Sequence, residues 1–183
     1  MKLILCFLVA FLASVSFITY GIKAMTTGTP NMPAINKKTL YLVGYSRQLK
    51  IPNVECVIST YRDNKGEWIM RSLIYVFAIG NSSWPGQYSI IEVKWQQYSV
   101  ILQVKPSAFI HPSVGVKKQY FIRNYDDNSL VLSDVTEASS PCSLWVTRDY
   151  LHNIPQTTNR TFSKLCPDPI YAEFKLQCFV NAK

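Results

Sequence analysis

The segment YSIIEVKWQQYSVILQV, Tyr88 to Val104, decides the fold. Ile91, Val93 and Trp95 alternate with Glu92 and Lys94, and a strand sends successive side chains to opposite faces, so one row packs inward while the other meets water. After Gln96 and Gln97 the alternation resumes with Tyr98, Val100 and Leu102. Two such runs with so short a link read as neighbouring antiparallel strands. In both directions the pattern repeats roughly every 8 to 15 residues, as aromatic and β-branched runs between turn signals. Eight strands are predicted: Leu40 to Ser46, Val54 to Tyr61, Trp68 to Phe77, Tyr88 to Trp95, Tyr98 to Val104, Gln119 to Tyr125, Ser129 to Val135 and Cys142 to Arg148. The separators Arg62 to Gly66, Asn81 to Gly86 and Asp126 to Asn128 hold residues that cap or tolerate turns. One helix is predicted after them, opened by Pro155, with Phe162, Leu165 and Cys166 on one face and Pro167 and Pro169 past its end. Met25 to Lys38 reads as an irregular lead-in and Ile170 to Val180 as an extended tail.

An all-β chain of eight antiparallel up-and-down strands with a C-terminal α-helix is expected to close into a β-barrel, whose interior holds side chains or one small ligand. A two-sheet sandwich would use the same alternation, but the terminal helix and the lack of a Cys-Trp-Cys spacing weigh against it.

Lys2, the apolar run from Leu3 to Leu12 and the small residues after it have the order of a secretory leader. Residues 1–24 are expected to be this signal peptide, cut after Ser16, Gly21 or Ala24, and residues 25–183 to be the secreted, extracellular domain. The run from Leu3 to Ile18 is 16 residues, short for a spanning helix, and the best later run, Leu73 to Ile79, is shorter still. No membrane insertion is expected. Cys6 leaves with the leader, and Cys56, Cys142, Cys166 and Cys178 remain as an even set in an oxidising compartment. Two disulfides follow, and four cysteines allow three pairings.

The 183 residues are 48% apolar and 16% charged, too apolar for a disordered chain and the size of one domain. The formal charge is +8; 19 basic residues less Lys2 and Lys23, against 11 acidic, leave +6 after the leader is lost. Lys37-Lys38 and Lys117-Lys118 are the only adjacent basic pairs, so a solvated basic surface is expected and no nucleic-acid partner. The sequons at Asn81 and Asn159 mark two glycosylation sites in polar stretches.

His111 and His152 have no ligand residues at metal spacing, and Asp126-Asp127-Asn128 lacks the rest of a calcium loop. Neither a metal nor a cofactor is expected. Gly80-Asn81-Ser82-Ser83-Trp84 lacks the second glycine of a nucleophile elbow, and no zinc-protease or phosphate-loop motif occurs. The chain does not read as an enzyme.

At Pro141-Cys142-Ser143-Leu144-Trp145-Val146 the sequence resembles the Cys-Glu-Leu-Trp-Val strand of the tick salivary lipocalins, the group that includes the histamine-binding proteins. Tyr41-Leu42-Val43 with Ser46, Cys56 opening the second strand, Tyr125-Asp126, the helix ending in Cys166 and the closing Pro169-Ile170-Tyr171 with Cys178 follow in the family's order. The resemblance spans Leu40 to Cys178. It implies a lipocalin barrel, disulfides Cys56–Cys178 and Cys142–Cys166, and a monomer that binds a small ligand and modulates host immune or inflammatory responses. The Japanin-like branch, which acts on dendritic cells and carries cholesterol, is the nearer match. Ser143 stands where the family has Glu, the family's seventh-strand cysteine is missing, and no Trp-rich N-terminal helix is evident.

The family's register turns Ser129, Val131 and Ser133 inward, all neutral, while alternation puts Glu92 outside. A buried amine needs an inward carboxylate, so a histamine or serotonin scavenger is the weaker reading. Alternation nominates Val57, Met70, Ile74, Tyr98, Val100, Leu102, Phe121, Arg123 and Trp145 for the cavity. These favour a hydrophobic ligand: a sterol such as cholesterol, or a fatty acid or eicosanoid whose carboxylate meets Arg123. A further alternative is that the barrel is a scaffold whose outer surface binds a host immune protein or immune-cell receptor.

Overall fold

A computed structural model describes residues 31–79, 82–106, 116–134, 139–175 and 177–180. The expected leader, Asn81 and His111 lie outside them. Eight strands follow one another round a barrel: β1 Leu40–Ser46, β2 Val54–Lys65, β3 Trp68–Ile79, β4 Ser82–Lys94, β5 Ile101–Pro106, β6 Gln119–Tyr125, β7 Ser129–Ser133 and β8 Cys142–Val146. Each pairs antiparallel with its neighbour, β8 pairs with β1, and β1 pairs with β2 to close the ring. The closing seam is short, with only Leu40 opposite Ser59 and Tyr41 opposite Ile58. Beyond it the edge of β1 is taken by a ninth strand, β9, Pro169–Tyr171, paired across Gly44 to Ser46. Helix α1, Gln156–Leu165, packs on the outside, and a last turn, α2, Gln177–Val180, ends the described chain.

Two apolar layers follow from the alternation. Val57, Leu73, Ile91, Val93, Leu102, Val104, Leu130 and Leu132 point into the barrel. The opposite rows of β1, β7 and β8, with Tyr41, Val43, Val131, Leu144 and Val146, bury against Phe162 of α1 and Cys166. Phe162 stacks edge-on to Tyr171, with ring centroids 5.4 Å apart, and lies so close to β1 that a Cβ on Gly44 would come within 2.8 Å of its ring. The disulfides join Cys56 to Cys178 and Cys142 to Cys166, the pairing that the resemblance implies.

Three expectations about the elements need correction. The turn expected over Asn81 to Gly86 is largely strand: β4 begins at Ser82, and Pro85 is accommodated where the β3–β4 ladder is irregular between Ile74 and Val76. β5 begins at Ile101, three residues later than predicted, because the chain turns through Tyr98 at φ 66°. The tail is not simply extended: it supplies β9 and then α2.

In an up-and-down barrel the lead-in to β1 lies at one end and the β1–β2, β5–β6 and β7–β8 connections at the other. Met32 and Ala34, in and beside a 3-10 turn at Pro33–Ile35, are buried and cover the first end. Asn31 N–H donates to Asp127 Oδ1 (2.6 Å), and Lys38 Nζ donates to the Asp127 carbonyl (3.0 Å) and to Asn128 Oδ1 (2.7 Å), tying this cover to the β6–β7 turn. The other end is the mouth.

Candidate ligand site

The inward rows enclose a cavity of about 190 Å3. Its wall is an aliphatic sleeve contributed by every strand except β6 and β8, which supply Tyr120, Ser143 and Trp145. Leu49, Ile51 and Val116 stand at the mouth.

Of the residues nominated from sequence, Val57, Leu102 and Trp145 line this cavity. Glu92 faces outward as expected, where Lys65 pairs with it at 3.5 Å. The other six nominated side chains lie elsewhere. Met70 shares the outward row of Glu92, its neighbour on β4, while Ile74 packs in the outer layer with Tyr41 and Ile58. Tyr98, 78% exposed, and Val100, 55% exposed, precede β5 in the turn at the covered end. Phe121 and Arg123 point out of β6, where the guanidinium lies 4.8 Å over the Phe121 ring and its Nε donates to Ser133 Oγ at 2.7 Å. The seventh strand is also reversed from the family register. Leu130 and Leu132 face in, and Ser129 turns out to meet Thr158 of α1, with the hydroxyl oxygens 2.7 Å apart.

Tyr98 and Val100 are misplaced because β5 starts after them; the misplacements on strands share another cause. A period of two separates the rows of a strand but does not say which is inside, and β3 and β6 carry polar residues on their inner rows. On β3 the inner row is Arg71, Leu73 and Tyr75. Sequence reading passed over Arg71 because a charged residue is rarely buried without a partner.

Arg71 is 1% exposed and faces no carboxylate among the described residues. Its five N–H groups are nonetheless all used. Nε donates to Ser59 Oγ (2.8 Å), Nη1 to the carbonyls of Ala34 (3.3 Å) and Asn36 (2.9 Å), and Nη2 to those of Lys38 (2.6 Å) and Ser59 (2.9 Å). Burial pushes its pKa down to about 10, so it stays cationic at neutral pH. It binds the lead-in across the barrel floor and has no donor left for a ligand.

Other polar groups sit higher. Lys117 and Asp134 form an ion pair beside the mouth. Tyr120 accepts a hydrogen bond from the Lys117 N–H at 2.9 Å, and Trp145 Nε1 donates to Ser143 Oγ at 3.0 Å. Burial raises the phenol pKa of both Tyr75 and Tyr120, which keeps them neutral. Asp134, Lys117, Tyr75 and Tyr120 gave no sequence signal beyond being polar residues near strand ends. Among the described residues no group of His, Cys, Asp or Glu is placed to hold a metal ion. Asn159 is exposed on α1, its Oδ1 accepting from the Tyr171 hydroxyl at 2.5 Å, which leaves Nδ2 for a glycan.

No family model matches the sequence. Individual relatives do. Japanin-like-RS of Rhipicephalus sanguineus is 48% identical over 179 residues, covering 98% of this chain and 99% of the relative. Japanin of Rhipicephalus appendiculatus is 47% identical over 179 residues, with the same coverage. A crystal structure of Japanin from Rhipicephalus appendiculatus bound to cholesterol superposes with a TM-score of 0.77 at 48% identity, covering 81% of this chain and all of that one. With identity near one half along almost the whole length and the same eight-stranded barrel, the chain belongs to the Japanin family of tick salivary lipocalins.

Proposed function

We propose that this protein is a secreted carrier, not an enzyme, that buries a sterol-like neutral lipid in its barrel and modulates host immune responses, with dendritic cells as its target. Residues 1–24 act as the leader, residues 25–183 fold as one monomeric lipocalin domain, and Asn81 and Asn159 carry glycans. The observation that carries the reading is an aliphatic sleeve whose charged groups are already committed. Arg71 spends every donor on the protein, Asp134 pairs with Lys117, and Arg123 lies outside. A fatty-acid carboxylate finds no available cation, and a biogenic amine finds no available carboxylate, so both would be buried uncompensated. A neutral lipid incurs no such cost and gains about 25 cal/mol per Å² of apolar surface removed from water. Cholesterol in the 48% identical Japanin structure supports the same class.

Ligand pockets commonly measure about 300–1,000 Å3. The 190 Å3 cavity must therefore widen around a sterol by movement of lining side chains.

Native mass spectrometry of protein secreted from sterol-containing medium tests the proposal. A mass increment matching one sterol per monomer is expected. Apo protein that takes up no sterol but binds histamine at nanomolar concentration would overturn it. Immune action through the outer surface is a second reading, favoured by the exposed Tyr98 and Val100 beside the covered end. Sterol-stripped protein that still acts fully on dendritic cells would favour that surface over the cargo.

A further inference from the structure

The carrier reading leaves open how the barrel recognises the polar end of its cargo. We propose that Tyr75 and Tyr120 form a subsite that holds a single neutral oxygen of the lipid, a sterol hydroxyl rather than a carboxylate. This rests on the carrier reading and specifies what that site selects.

Tyr75 lies on the inner row of β3, four residues further toward the mouth than Arg71, and is 4% exposed. Its hydroxyl has no hydrogen-bond partner among the described residues. It is not sealed off, since no fully enclosed side-chain oxygen or nitrogen among those residues lacks a partner. The group therefore opens on the cavity with no protein partner. A ligand oxygen in the cavity can pair with this phenol in place of water.

Tyr120 lines the same cavity from β6. Its oxygen accepts from the Lys117 N–H, which fixes the ring and leaves the phenolic proton to donate. Burial keeps both phenols neutral, and Tyr120 is near enough to add to the upward shift of Tyr75. Two neutral hydroxyls suit a hydroxyl or ketone, which exchanges hydrogen bonds without bringing charge. A carboxylate would require a cation, and both cavity cations are engaged by the protein.

The test compares cholesterol with cholest-5-ene, which has the same ring system and tail but no hydroxyl, by displacement of a fluorescent sterol. Wild-type protein is expected to prefer cholesterol about tenfold, the scale of one buried hydrogen bond made or left unmade. Tyr75→Phe should bring the preference close to one, Tyr120→Phe should reduce it partly, and Met70→Leu, outside the cavity, should keep it. Because the Tyr75 hydroxyl has no protein partner, Tyr75→Phe should unfold at the same denaturant concentration as wild type or higher. A Tyr75→Phe protein that keeps the full preference overturns the subsite. Wild-type protein that binds both sterols equally overturns the subsite alone, whereas binding of neither overturns the carrier reading and the subsite with it.

Discussion

Arg71 shows how one side chain can define a compartment. Five donated hydrogen bonds hold Ala34, Asn36 and Lys38 against Ser59, so the lead-in becomes the barrel floor. Arg71→Met would keep most of the volume and strand several buried carbonyls, each costing about 1–3 kcal/mol, partly offset because no charge is then desolvated. A net loss of about 2–4 kcal/mol in urea unfolding is expected, with faster amide exchange at residues 34–38. Arg71→Lys should not restore it, because three donors cannot replace a planar fork of five. Trp145 and Arg123 give a second contrast. Trp145→Phe removes cavity wall and leaves Ser143 without its donor, so sterol affinity should fall by roughly three- to tenfold in a protein that still folds. Arg123→Leu, on the outer face, should leave lipid loading unchanged by native mass spectrometry. Loss of loading in Arg123→Leu would contradict the placement of β6.

At the level of elements, the contact between α1 and β1 depends on a missing side chain. Gly44 stands where Phe162 presses on the sheet, and an added methyl would meet the ring at 2.8 Å and 2.9 Å. Gly44→Ala is expected to cost about 1–3 kcal/mol by overpacking. The double variant Gly44→Ala with Phe162→Leu should recover part of that loss, and a thermal melt of the single and double variants checks it. The strands themselves were legible because turn residues and alternation mark them, and all eight predicted positions hold a strand. Their inner rows were less so. On β4 a clean contrast of Ile91 and Val93 with Glu92 settled the orientation, whereas on β6 the inner pair Tyr120 and Ile122 is hardly more apolar than the outer Phe121. On β3 the inner row holds the buried cation. The short C-terminal elements are illegible for a different reason: β9 pairs with the free edge of β1 and α2 carries Cys178 of a disulfide, and neither partner is local.

For the molecule as a whole, the two disulfides do different work. Cys142–Cys166 spans 24 residues and fixes α1 to β8, while Cys56–Cys178 spans 122 and returns the end of the chain to β2. Loop-closure entropy gives about 3.5 kcal/mol for the first and about 5 kcal/mol for the second. Paired Cys→Ser replacement should therefore destabilise more at Cys56 and Cys178, as measured by guanidinium unfolding. That longer bond has a consequence for time as well as stability. The barrel closes on two residue pairs between β1 and β2, and the C-terminal segment crosses that weak seam, hydrogen-bonded to β1 through β9 and covalently attached to β2 through Cys178. The segment acts as a strap over the joint of a cask, tied to one stave by hydrogen bonds and to the next by a bond that thiols can reduce. Reducing it is expected to shorten the residence of a loaded sterol, and the off-rate of a fluorescent sterol before and after thiol treatment checks this.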